Sequence, residues 1–123
     1  MADKKIMIID DDRRNIFALK AVLKSRGYTV LSSIDALEGI AMLAGDPAIK
    51  VVLLDMMMPE TDGYEALRLI RANAAIASTI VIAVTAQAMV GDREKCLAAG
   101  ADNYLAKPVD IDALVPLLER YLN

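Results

Sequence analysis

Ile6-Met7-Ile8-Ile9-Asp10-Asp11-Asp12 decides how the rest of this chain is read: a short, unbroken apolar run opens directly into three carboxylates. Val51-Val52-Leu53-Leu54 runs into Asp55 in the same way, and Ile80-Val81-Ile82-Ala83-Val84 runs into Thr85. Tyr104-Leu105-Ala106 precedes Lys107 and Pro108. Continuous apolar runs of this length read as strands buried on both faces, as in parallel sheets. An open parallel sheet places its site outside the carboxyl ends of its strands. Asp10, Asp11, Asp55, Thr85 and Lys107 are therefore expected on one rim.

Helix signals fill the intervals. Arg14 to Arg26 reads as a helix stopped by Gly27, and Ala36 to Ala44 as one closed by Gly45 and Pro47. Tyr64 to Ala72 follows, with Asn73 expected as a left-handed terminator. A helix from Gly91 to Ala99 and another from Ile111 to Leu122 complete the series. Tyr28 to Leu31 and Asn103 to Ala106 supply two short strands. Five βα units predict an α/β doubly wound, flavodoxin-like sheet with helices on both faces. The polar second strand belongs at an edge, which selects the order 2-1-3-4-5. Pro116, some five residues into the last helix, removes a backbone donor and predicts a kink or an irregular first turn.

The 123 residues suit one domain and are 56% hydrophobic, enough for a core on both faces of a sheet. A net charge of -3 argues against a sequence-independent grip on nucleic acid. No apolar stretch approaches the roughly 18 residues of a membrane span, and Met1 to Lys5 begins no signal peptide. The lone Cys96 forms no internal disulfide and suits a reducing cytoplasm. The chain has no histidine, so a phosphohistidine must come from another molecule.

The rim chemistry favours a divalent cation and a phosphoryl group. Two carboxylates about 4 Å apart repel by ~4 kcal/mol at an effective dielectric near 20, which a counter-cation relieves. Asp12 serves equally as a helix N-cap, but Asp10 and Asp11 facing Asp55 suit Mg2+ or Mn2+. The expected donors are Asp11, Asp55 and the Met57 carbonyl, with Asp10 acting through water. Thr85 and Lys107 can hold phosphoryl oxygens. Met56, Met57 and Met58 read as packing rather than a soft-metal site, and Cys96 as packed against the sheet. On a helical wheel Ala18, Leu19, Val22 and Leu23 share the core face of the first helix. Phe17 falls opposite, beside Arg14, Asn15 and Ile16; a chance exposed apolar residue and, with Pro108, a docking patch for a helical phosphodonor are equally open readings.

In these segments, together with Asp62-Gly63, Val84-Thr85-Ala86 and Gly100-Ala101, the chain resembles the receiver domain of two-component response regulators. The Arg14 to Leu19 and Thr85 to Met89 stretches are most similar to receivers associated with hybrid sensor histidine kinases. The resemblance covers essentially all of the chain and implies a single receiver domain over residues 1–123. It implies that Asp55 accepts a phosphoryl group from a phosphohistidine, that Asp10 and Asp11 hold Mg2+, and that Thr85 and Lys107 bind the phosphoryl group. It further implies a cis Lys107-Pro108 bond, and Thr85 and Tyr104 acting as a switch. Met57 and Gln87 would set the phosphoryl lifetime. The implied partners are a histidine kinase or histidine phosphotransfer protein and a downstream protein target. No output domain is expected after Leu122, so output is expected through protein contact or onward phosphotransfer. Such a chain is no enzyme beyond promoting its own phosphorylation and dephosphorylation.

Three other classes compete. A haloacid-dehalogenase-type phosphatase shares the Asp10-x-Asp12 spacing but wants a small residue where Arg14 stands. A flavodoxin needs a phosphate cradle where three carboxylates would repel one. A non-phosphorylated pseudo-receiver is expected to lack one of the five rim residues, and none is lacking.

Overall fold

A computed structural model describes residues 5–58, 62–86 and 90–122. Pro59, Glu60, Thr61 and Gln87 lie outside the described residues. Among the described residues five strands, β1 (Lys5–Ile9), β2 (Thr29–Ser33), β3 (Ile49–Asp55), β4 (Ile80–Thr85) and β5 (Asn103–Ala106), form one parallel sheet. Their order is β2-β1-β3-β4-β5, as the apolarity of the central strands predicts. The helices are α1 (Arg13–Ser25), α2 (Ala36–Ala44), α3 (Gly63–Ala72), α4 (Asp92–Ala98) and α5 (Ile111–Leu122).

Side-chain alternation divides the core into two layers. Met7, Ile9, Val52, Leu54, Val81 and Ala83 face α2, α3 and α4, meeting Leu43, Leu67, Ile70 and Cys96. Ile6, Ile8, Val51, Leu53, Ile82 and Val84 face α1 and α5, meeting Leu19, Leu23, Leu114 and Leu118. The central strands therefore read as continuous apolar runs because each residue, whichever way it points, meets a helix.

Local departures have local causes. The buried residues of α1 are Ile16, Leu19 and Leu23, while Ala18 is exposed and Val22 only half-buried. The helix is rotated from the expected face, because i, i+3, i+7 places three large aliphatics on the sheet. Asn73 adopts extended φ/ψ (-92, 110) rather than a left-handed turn. Its side chain accepts from Ala75 N–H at 3.0 Å, which organises the exit without positive φ. Pro116 sits inside α5, whose helical span runs through it, and its ring is exposed.

Arg71 stitches the end of the sheet opposite the rim. Its guanidinium donates to Gly100 O at 2.7 Å, Ala77 O at 2.9 Å, Thr79 O at 2.6 Å and Asp102 Oδ2 at 2.9 Å. Asp102 Oδ2 also accepts the Val81 N–H at 2.9 Å. The starts of β4 and β5 are thus tied to α3 by one side chain.

Gly63 is required by a close approach of backbone to backbone. A Cβ there would overlap the Met56 Cα and lie 2.9 Å from the Asp55 carbonyl oxygen. Gly63→Ala is expected to lower stability by about 1–3 kcal/mol, the range for overpacking, and to displace Asp55. Urea unfolding measures the first. An unchanged midpoint would show that the α3 entrance yields freely.

Candidate functional site

Backbone bonds between neighbouring strands pin the strand ends that carry the rim residues. Asp10 N–H donates to Ser33 O at 3.1 Å, Met56 N–H to Val84 O at 2.8 Å, and Lys107 N–H to Thr85 O at 2.8 Å. The sheet thereby holds the ends of β1, β3, β4 and β5 in one cluster. Carboxylate oxygens of Asp10, Asp11 and Asp55 all lie within 4.8 Å of one another, which is compact enough for a shared divalent cation. Asp10 and Asp55 are buried and Asp11 is exposed.

Asp12 behaves as the expected cap: its Oδ1 accepts Arg14 N–H at 3.0 Å and Asn15 N–H at 3.3 Å. Its own N–H donates to Asp10 Oδ1 at 2.8 Å. Lys107 Nζ bridges the two buried carboxylates, 3.0 Å from Asp10 Oδ2 and 3.4 Å from Asp55 Oδ2. One ammonium thus serves two carboxylates, and Asp11 adds a third negative group nearby. The Lys107-Pro108 bond is cis.

Asp55 is 3% exposed. Burial pushes its carboxyl up to about 6. The Met57 N–H, donated to Asp55 Oδ1 at 2.9 Å, opposes that rise, Asp10 adds to it, and Lys107 opposes it. Burial works to lower the Lys107 ammonium, but the hydrogen bonds and charges of Asp10 and, less strongly, Asp55 together raise the group.

Thr85 is buried at the end of β4. Tyr104 is paired in register with Ala83, two residues before Thr85 and on the same sheet face. The Tyr104 ring is half-buried, and its hydroxyl is enclosed with no hydrogen-bond partner among the described residues. The two residues expected to switch together therefore share one side of the sheet. A cavity of about 310 Å³ opens there, lined in part by Met57, Tyr64, Thr85, Asp92 and Cys96. Burial and the neighbouring Cys96 thiol, 3.6 Å away, raise the Tyr64 phenol.

The docking expectation is corrected in part. Ile16 is 8% exposed and belongs to the core, so it offers no docking surface. Asn15 turns inward, its Nδ2 donating to Asp10 Oδ2 at 2.7 Å. Arg14 and Pro108 are exposed, and Phe17 is 77% exposed. Arg71 and the inward role of Asn15 had no signal in composition or spacing. Only the proximity of Asn15 to the acidic run, one helical turn on, hinted at the latter. Met57 is 49% exposed beside Asp55, whereas Met56 and Met58 are buried as the packing reading expects.

Residues 6–119 match the sequence profile of the response regulator receiver domain. Protein PilG of Pseudomonas aeruginosa is 32% identical over 118 residues, covering 96% of this chain and 87% of PilG. Among solved structures, the receiver domain of the sensor histidine kinase PA1611 from Pseudomonas aeruginosa PAO1 superposes with a TM-score of 0.87. It is 36% identical over 98% of both chains and was crystallised with a magnesium ion coordinated in its active-site cleft. The Vibrio cholerae chemotaxis protein CheY4 superposes at 0.88 with 25% identity, over 98% of this chain and 100% of its own.

Proposed function

This chain belongs to the response regulator receiver domain family, with its phosphoacceptor signalling role, and from that premise we propose that Asp55 is the phosphoacceptor. The observation that carries this is the burial of Asp55 between an acidic neighbour and the Lys107 ammonium, at the sheet's switch point. We read residues 1–123 as one receiver domain.

An Asp55 oxygen attacks the phosphorus of a phosphohistidine in line. The P–N bond breaks, and the imidazole leaves on its own protein. Mg2+, held by Asp11, Asp55 and the Met57 carbonyl with Asp10 through water, would supply charge neutralisation to the phosphoryl oxygens. Lys107 turns from the carboxylates to the same oxygens, so catalysis is positioning plus electrostatics. The phosphoryl group carries roughly -1.5 to -2 charges in place of the single carboxylate charge it consumes, and brings strong acceptors to the rim. Thr85 moves to donate to it, and Tyr104 enters the space vacated. The β4–α4 and β5–α5 units then exchange one packing for another, which a partner reads. The chain promotes only its own phosphorylation and dephosphorylation.

The donor is a histidine kinase or histidine phosphotransfer protein, docking over the exposed Arg14, Phe17 and Pro108. Output passes to a downstream protein or onward by phosphotransfer. Among the described residues no helix is long and apolar enough to cross a membrane. We place the domain in the cytoplasm and assign it no nucleic acid. The dehalogenase-type phosphatase is disfavoured, since the receiver match runs from residue 6 to 119. The test is incubation with acetyl phosphate and Mg2+, read by intact mass. One added phosphoryl group supports the assignment, and steady turnover of many phosphoesters contradicts it.

Metal binding should stabilise the fold. A cation bound only by the native site adds about 2.7 kcal/mol at a hundredfold excess over its Kd. Thermal melts with and without millimolar Mg2+ should differ, and Asp11→Ala should abolish the difference. Identical wild-type melts would remove the metal assignment.

The phosphoryl lifetime should be long. Hydrolysis needs an in-line water at Asp55, and Met57 offers no side-chain hydrogen bond to hold one. Gln87 can bond water but, unlike a carboxylate, draws a proton from it poorly near neutral pH. Met57→Asn combined with Gln87→Glu should accelerate loss of label. Equal or slower decay would place control of water access elsewhere.

A further inference from the structure

We infer that Asn15 is a positioning residue for phosphotransfer, holding the Asp10 carboxylate in place when Lys107 leaves it for the incoming phosphoryl group. The inference rests on the acidic-pair reading proposed above. Asp10 is 2% exposed and takes three donors among the described residues. Asp12 N–H reaches Oδ1 at 2.8 Å, while Asn15 Nδ2 at 2.7 Å and Lys107 Nζ at 3.0 Å both reach Oδ2.

Only one of these donors has another task. Lys107 already divides itself between Asp10 and Asp55, and new negative charge on Asp55 draws it further away. Without Asn15, that departure would leave Oδ2 of a buried carboxylate with no direct donor, at the moment when orientation matters most. Asn15 removes that difficulty because nothing in the reaction calls it away. A carboxylate oxygen only accepts, so the amide presents its nitrogen. The side chain is launched from the first turn of α1, which Asp12 caps through the N–H groups of Arg14 and Asn15 itself. The donor therefore comes from a fixed turn rather than a loop. With two donors on Oδ2, the less occupied Oδ1 is left to face a cation or its water.

The test is Mg2+ titration by isothermal calorimetry on the full chain, comparing wild type with Asn15→Leu, Asn15→Ala, Asn15→Gln and Asp11→Ala. Partners that orient metal-holding groups typically cost about 10–100-fold in affinity when removed, so Asn15→Leu and Asn15→Ala should bind Mg2+ about tenfold more weakly. Asn15→Gln keeps an amide donor and should recover most of that loss. Melts in EDTA should move little for all three Asn15 variants, since the bond orients a carboxylate rather than filling the core. If Asn15→Leu and Asn15→Ala both bind Mg2+ as wild type does, while Asp11→Ala does not, this inference alone falls. If wild type binds no better than Asp11→Ala, the acidic-pair reading falls and this inference with it.

Discussion

Asp55→Asn is expected to abolish labelling by acetyl phosphate or a phosphorylated donor, and at the same time to stabilise the metal-free fold above about pH 6. The amide keeps the shape of the carboxylate and loses the nucleophile. The stability gain follows from burial, which lifts the wild-type carboxyl from its ordinary 3.8 to about 6. A group whose folded pKa is raised contributes stability that is fully present below the unfolded pKa and lost as pH rises through the folded one. For Asp55 the window runs from near 4 to somewhat above 6, and the loss is on the order of 3 kcal/mol at most. The melting-temperature difference between variant and wild type, measured without metal, should therefore be smallest near pH 4 and widen toward pH 7. Labelling of the variant at the wild-type rate would move the acceptor to Asp10 or Asp12. A difference that stays flat with pH would mean that Asp55 is solvated.

Lys107→Met is expected to slow labelling at saturating Mg2+ by about 10²–10³-fold, the usual cost of removing one preorganised donor from developing negative charge. The same change removes an influence that holds the Asp55 carboxyl down. Below saturating Mg2+ the residual rate should then need a higher pH than wild type to reach its plateau, because protons compete better with the cation for the nucleophile. Initial rates between pH 6 and 9 test both parts. A rate within a few-fold of wild type would mean that the cation alone neutralises the phosphoryl oxygens. An unshifted profile would mean that Lys107 and Asp55 do not communicate.

The strand order and the rim were legible because both follow from a one-dimensional signal. Apolar runs end at Asp10, Asp55 and Thr85, and in a parallel sheet the ends of such runs must cluster. What sequence could not supply was rotation about axes. Placing Ala18 and Val22 in the core of α1 gave a good apolar stripe, yet Ile16 competes for the same face, and a modest turn of the helix settles the choice. The role of Asn15 depends on that same turn, since a side chain aimed outward would read as surface. Asn73 shows a second blind spot. A residue that tolerates left-handed backbone can instead organise its turn through the side chain, and composition does not distinguish the two. Arg71 is a third, for an arginine that ties helix α3 to a carbonyl nearly 30 positions away looks in sequence like any solvated helix-end cation.

The division of the core into two layers has a consequence for traffic around the domain. By the alternation of β1 and β3, Asp10 and Asp55 continue the side that faces α1 and α5, whereas Thr85 and Tyr104 continue the side that faces α4. The rim is thus a crossing point between the two sides of one wall. A donor docking over Phe17, as proposed, would write on one side, and the proposed change in Tyr104 would be displayed on the other. On that proposal reader and writer would not have to take turns, and this domain would serve as a party wall between them.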